Sequence, residues 1–323
     1  MEFAAILVLS IVALSGAAYA YYWYSPAAAV PHLSAAAQRS TMRVAERERS
    51  YLAYVPANLP PRSALIIVLH GSGMDGKRMR ECTGYEFDRL ADERGFAVLY
   101  PDGYRHNWND CRKNATFPAK RENIDDMSFV RALIGRCKAE QAIDDKRVYA
   151  FGYSNGGHMA FRLAMEAPEA IAAVTAVAAS LPSPDASSCP QQGRTSRVML
   201  VNGTDDPVSP YQGGVVRLFG LASSRGTVLS AKASARTLAE RNGTTAAPVA
   251  GRLPKGRPDD PTSVETLVWS ADGKPICCLY TVHGGGHVIP QQAFRFPRLL
   301  GRTTSALNAP SAAVSFFESD LPE

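Results

Sequence analysis

Gly152-Tyr153-Ser154-Asn155-Gly156 sets a serine hydroxyl between two glycines, a spacing that points to nucleophilic attack on a carbonyl. A serine on a sharp turn between a strand and a helix stands clear of the sheet. The next backbone N–H is then aimed at the reacting group. Five residues with three fixed recur by chance, so the flanks decide. Arg147-Val148-Tyr149-Ala150-Phe151 is β-branched and aromatic, which predicts a buried strand. Met159, Leu163 and Ala164 share one face of the helix expected after the turn. Glycines at both ends allow the chain to reverse where a Cβ would clash.

A serine hydroxyl is a poor nucleophile unless a base removes its proton, and the base is normally a histidine oriented by a carboxylate. For a serine on such an elbow the chain order is serine, acid, histidine. Asp206, in Gly203-Thr204-Asp205-Asp206-Pro207, fits the acid; its neighbour Asp205 is the rival, with a solvated turn carboxylate as its plainer reading. His287 follows Gly284-Gly285-Gly286, whose freedom lets a loop fold back over the serine. His283 sits nearer a strand end and reads as a local packing residue. Asp102, Asp110, Asp125 and Asp126 precede the serine and fit this order poorly. His70 reads as structural and His158 as a helix-surface residue. An oxyanion needs N–H donors, and the loop Leu69-His70-Gly71-Ser72-Gly73 leaves a strand where one should arise. The backbone N–H groups of Ser72 and Asn155 are the expected pair.

Around these residues the 323-residue chain alternates strand and helix signals, and its 46% apolar content suffices for a large core. Strands are predicted at Arg49 to Val55, Ala64 to His70, Phe96 to Tyr100, Ala172 to Ala178, Val198 to Asn202, Thr266 to Trp269 and Cys278 to Val282. Helices are predicted around Phe87 to Ala91, Val130 to Cys137, Leu229 to Arg241 and Ser311 to Phe317. Gly251 to Ser263 reads as a surface loop. A mostly parallel sheet covered by helices on both faces, in one domain over residues 49–323, is the expected α/β architecture.

Phe3 to Ala20 is apolar apart from small Ser and Gly residues, and Ala18-Tyr19-Ala20 offers the small residues of an export cleavage site. A signal peptide over 1–20 is one reading. An uncleaved anchor to about residue 24 is the other, with Tyr21-Tyr22-Trp23-Tyr24 as an interfacial belt. Either carries the remainder out of the cytoplasm, to a secreted or periplasmic location, and touches a membrane only if uncleaved. Residues 21–48 read as a linker. The six cysteines suit an oxidising compartment, sequence leaves their pairing open, and without a C-x-x-C pair a zinc or redox site has little support. The formal charge of +5 comes from scattered Lys and Arg, which argues against a nucleic-acid interface.

Taken together, Leu69-His70-Gly71-Ser72-Gly73, Tyr100-Pro101-Asp102-Gly103, Trp108-Asn109-Asp110, Ile124-Asp125-Asp126, the serine elbow, Gly203 to Pro207 and Gly284 to His287 form a specific set. From about Tyr51 to Pro290 the chain resembles the polyhydroxybutyrate depolymerase and feruloyl-esterase-like group of secreted α/β-hydrolases. The resemblance implies that fold and hydrolysis of small or oligomeric carboxylic esters without a cofactor or metal. It also supports Ser154, Asp206 and His287 as a triad. An acyltransferase or a serine peptidase would use the same triad; a membrane-tethered binding protein would not need it. Two departures stand out. Ser72 occupies a position where the group often has cysteine, which leaves a backbone role intact. Ile289 precedes Pro290 where a tryptophan is frequent, which puts a substrate-facing wall in doubt. Trp108 has two readings, a substrate-binding residue of the cleft or a buried structural tryptophan. No polymer-binding module is visible, which points to soluble esters rather than solid polymer.

Overall fold

Ala64-Leu65-Ile66-Ile67-Val68-Leu69 is buried at every position, as a strand covered on both faces must be. The computed structural model that contains it describes residues 15–16, 19–217 and 224–319. This strand, β3 (Ala64–Leu69), lies inside a ten-stranded sheet with β1 (Gln38–Val44), β2 (Arg47–Tyr54), β4 (Phe96–Pro101), β5 (Val148–Tyr153), β6 (Ala173–Val177), β7 (Arg197–Gly203), β10 (Val249–Arg252), β11 (Ser263–Ala271) and β12 (Lys274–His283). β8 (Gly214–Val215) and β9 (Thr227–Val228) form a separate two-stranded ribbon.

The sheet order is β1-β2-β4-β3-β5-β6-β7-β12-β11-β10. Every pairing from β4 to β12 is parallel, and an antiparallel pair extends each edge. Helices α1 (Gly76–Cys82), α2 (Glu86–Arg94), α3 (Pro118–Arg121), α4 (Asp126–Gln141), α5 (Asn155–Glu166), α6 (Ala231–Arg241) and α7 (Ala309–Glu318) complete the layers. Apolar residues of α4, α5 and α6 join one core, while those of α1, α2 and α7 join the other. Alternating strand residues feed the two cores: Leu65, Ile67 and Leu69 go to the first, Ile66 and Val68 to the second. This is the α/β-hydrolase arrangement expected, a mostly parallel sheet between two helical layers.

Two readings need correction. The span 21–48 is not all linker, because Gln38–Val44 pairs with β2 as an edge strand. Its half-exposed residues carry no buried apolar run, so nothing in their pattern announces a strand. The remainder is tied to the body: Ala28 is buried, and Ser34 donates from its hydroxyl and its N–H to Asp92. Likewise Gly251 and Arg252 belong to β10, a wholly exposed edge strand, rather than to the loop after it. Most of the expected export segment, residues 1–14, 17 and 18, lies outside the described residues. No described helix is long and apolar enough to cross a membrane.

Candidate active site

The parallel strands end on one side of the sheet, and the functional loops leave from there. Ser154 follows β5 with φ 53° and ψ −114°, a strained conformation at the start of α5. Its N–H donates to Val177 O at 2.9 Å, which pins the elbow to β6. The flanking glycines are sterically required. A Cβ on Gly152 would sit 2.0 Å from Gly156 O, and one on Gly156 would sit 2.2 Å from Leu69 O.

The structure brings Ser154, His287 and Asp206 into one hydrogen-bonded run. His287 Nε2 lies 2.9 Å from Ser154 Oγ, and His287 Nδ1 lies 2.7 Å from Asp206 Oδ2. An ionised carboxylate only accepts, so Nδ1 carries the proton and Nε2 is left to accept from the serine. Asp206 is itself fixed, its Oδ1 accepting from Val208 N–H at 2.7 Å and Ser209 N–H at 2.8 Å. Side chains of Asp206 and His287 are 1% and 6% exposed, so water competes little for their bond.

Local packing brings the two loops together. Gly203, at the end of β7, approaches Gly285 so closely that a Cβ would lie 2.2 Å from Gly285 O. Asp205 N–H donates to Gly285 O at 2.9 Å, and Gly284 N–H donates to Thr204 Oγ1 at 2.8 Å. Tyr153, inside the elbow, donates its hydroxyl to His287 O at 2.7 Å. Asp205 itself is exposed and contacts Thr204. His283 turns to Glu265, 3.0 Å away.

Ser72 and Ser154 line one cleft of about 460 Å³ that also contains His287. Among the described residues, neither the Ser72 nor the Asn155 N–H finds an acceptor in the protein. The Ser72 hydroxyl is also buried without a partner. Apolar side chains furnish the cleft: Met74, Val208, Phe294, Phe296 and Leu300, with Trp23 from the N-terminal segment. Ser25 donates to Arg295 O at 2.7 Å, and the Arg298 guanidinium lies 4.1 Å from the centre of the Tyr21 ring, so this segment is docked beside the cleft. A larger groove of about 730 Å³ shares Phe296 but is not lined by Ser154 or His287.

Trp108 is not in the cleft wall. It is fully buried, and its indole N–H donates to His70 O at 2.9 Å. That loop is held behind the nucleophile by the side chain of Asn155. The carboxamide oxygen of Asn155 accepts from Trp108 N–H at 2.8 Å, and its nitrogen donates to Asp110 Oδ2 at 2.6 Å. Asp110 is wholly buried and pairs with Arg112; burial raises its carboxyl, but the guanidinium outweighs burial and leaves it below the usual range. The adjacent Cys111 forms a disulfide with Cys189, Cα–Cα 5.1 Å, while Cys82, Cys137, Cys277 and Cys278 are buried thiols.

His158 is also misplaced by the sequence reading: it is buried, not on the helix surface. Burial, with repulsion from Arg112, pushes its imidazole down to about 3, and its Nδ1 has no partner among the described residues. His70 is structural, as expected. It accepts from Gly103 N–H at 2.8 Å, its Nδ1 donates to Gly71 O at 2.7 Å, and burial pushes it down to about 4. Asp102 accepts from Gly76 N–H and Arg39, and Asp126 pairs with buried Arg49; both hold loops in place.

Known proteins share this frame. The family model for the alpha/beta hydrolase fold matches residues 64–267. A putative esterase, NocK, of Nocardia uniformis subsp. tsuyamanensis is 31% identical over 91% of this chain and 86% of its own. Feruloyl esterase B of Piromyces equi is 28% identical over 74% of this chain and 42% of its own. The bifunctional acetylxylan esterase/xylanase XynS20E of Neocallimastix patriciarum is 32% identical over 49% of this chain and 22% of its own. Among solved structures, the acetyl xylan esterase from Aspergillus awamori superposes with a TM-score of 0.50 at 17% identity, over 76% of this chain and 90% of that one, a likeness of fold. The chain belongs to the alpha/beta hydrolase fold family, and its sequence relatives include esterases.

Proposed function

We propose that the protein is an exported serine esterase that hydrolyses carboxylic esters through an acyl-enzyme on Ser154. The observation that carries this reading is the run Asp206–His287–Ser154, with bonds of 2.7 and 2.9 Å. Ser154 Oγ attacks the ester carbonyl carbon as its proton passes to His287 Nε2. The carbonyl oxygen takes the electron pair and is met by the N–H groups of Ser72 and Asn155. Collapse of the tetrahedral adduct breaks the bond to the alcohol oxygen, which leaves with the proton from Nε2. Water then repeats the attack on the acyl-enzyme, again deprotonated by His287, and releases the acid and free Ser154. Asp206 keeps the imidazole in the tautomer both half-reactions need.

For substrate, the resemblance to polyhydroxybutyrate depolymerases and the feruloyl and acetylxylan esterases among the relatives favour short acyl, hydroxyalkanoate-oligomer or feruloyl-type esters. A cleft of about 460 Å³ suits a small soluble ester. Export is supported by the apolar run Phe3 to Ala20 and by the Cys111–Cys189 disulfide, a bond that persists outside the reducing cytoplasm. Hydrolysis of 4-nitrophenyl acetate and butyrate by the purified protein, lost in Ser154→Ala, tests the activity. No turnover of either ester would overturn it.

A further inference from the structure

The cleft beside Ser154 contains two arginines, Arg78 and Arg225, in very different states. Arg78 is occupied: it pairs with Glu81 at 2.5 Å, donates to Ser25 at 3.3 Å, and lies 4.8 Å from the centre of the Phe294 ring. Arg112, near Arg225, is likewise spent on Asp110. Arg225 is half-buried, yet among the described residues it has no carboxylate partner and no side-chain hydrogen bond. Its guanidinium lies 5.8 Å from the centre of the Phe117 ring, and its backbone N–H donates to Val216 O at 2.9 Å. The neighbouring sequence from Arg217 to Ser224 contains no acidic residue. Burial, with repulsion from Arg112, destabilises its charge, and attraction from Asp110, itself bound to Arg112, offsets this only in part.

A guanidinium so placed, facing a cleft that holds a nucleophile, lacks an anion that a ligand can bring. We propose that the cleft takes esters bearing one free carboxylate, which Arg225 binds while the apolar body lies against Met74, Val208, Phe294 and Leu300. A planar fork matches the two oxygens of a carboxylate, and one available guanidinium suits a single negative charge. Hydroxy-acid oligomers with a free carboxyl end and half-esters of dicarboxylic acids both have this form. The proposal rests on the esterase reading and narrows it. Arg225 is a specificity residue here and takes no part in bond making.

Matched ester pairs test it. With the charge on the acyl side, 4-nitrophenyl monoglutarate is compared with 4-nitrophenyl pentanoate. With the charge on the alcohol side, 3-acetoxybutyrate is compared with 3-acetoxybutyramide. In at least one pair the wild type should favour the anion in kcat/KM by about tenfold or more, as expected for a charge-assisted bond. Arg225→Gln should erase that preference and leave the neutral ester within about twofold, while Arg225→Lys should keep part of it. Absence of a preference in both pairs would overturn the proposal, as would an equal loss on charged and neutral esters in Arg225→Gln. Failure to hydrolyse any of the four compounds while 4-nitrophenyl acetate is turned over would overturn the proposal alone; failure on that ester as well would overturn the esterase reading with it.

Discussion

The side-chain nitrogen of Asn155 donates to Asp110 Oδ2 at 2.6 Å, tying the residue after the nucleophile to a buried ion pair. The same carboxamide holds Trp108 N–H, so the residue that follows the nucleophile is fixed by its buried side chain. Asn155→Ala would leave the buried Trp108 N–H without its acceptor and remove one of the donors to Asp110, which keeps Arg112, at a cost of about 1–3 kcal/mol in stability. We expect kcat to fall by roughly tenfold to a hundredfold with KM little changed, as an oxyanion donor drifts out of line. Steady-state kinetics and thermal melts check this. Lost stability with kcat intact would mean that the tether serves the fold alone.

Asp206 and Asp205 are neighbours with separate surroundings. One carboxylate is fixed by two backbone N–H groups and meets His287; the other is exposed. Asp206→Asn should lower kcat by roughly four orders of magnitude, because an amide lets the imidazole take the wrong tautomer. Asp205→Asn should cost less than about threefold, as expected of a surface change. Similar mild losses in both variants would place the acid elsewhere.

Acid should destabilise the fold through its buried histidines. Burial pushes His70 down to about 4 and His158 to about 3, from an ordinary 6.5. Between those limits the unfolded chain takes up protons that the native state refuses, so stability falls as pH drops through this window. The loss is on the order of a few kcal/mol per group. Asp88 acts in the opposite sense. Burial, against the pull of Arg80, raises it from 3.8 to about 6, so the native state is protonated first and acidification relieves it. Buried Asp126, raised by burial despite Arg49, acts in the same sense as Asp88. The larger displacement of the two histidines decides the balance, and Tm should fall from pH 6.5 toward pH 4. His158→Gln should flatten the slope. A level or rising Tm across that range would contradict this balance.

Much of this was legible in the chain. β3, β5 and β7 announce themselves as apolar runs. Ser154, Asp206 and His287 are each marked by glycines, which the close approaches at Gly156, Gly203 and Gly285 now explain. What stayed hidden depends on distant partners. Trp108 and His158 look amphipathic in sequence, and only the fold shows Trp108 satisfied by His70 O and His158 enclosed near Arg112. β1 and β10 are edge strands with half-exposed or fully exposed side chains, so pairing rather than burial defines them. Trp23 and Arg225 come from segments far apart in the chain, and no local pattern links either to Ser154.

The central claim is that Ser154 is the covalent nucleophile, and a fluorophosphonate probe tests it most directly. Intact protein should gain one adduct, and peptide mass spectrometry should locate it on the segment containing Gly152-Tyr153-Ser154-Asn155-Gly156. Ester hydrolysis should disappear in step with labelling, and Ser154→Ala should take up no probe. Loss of activity with the adduct on another residue, and Ser154 unmodified, would contradict the account.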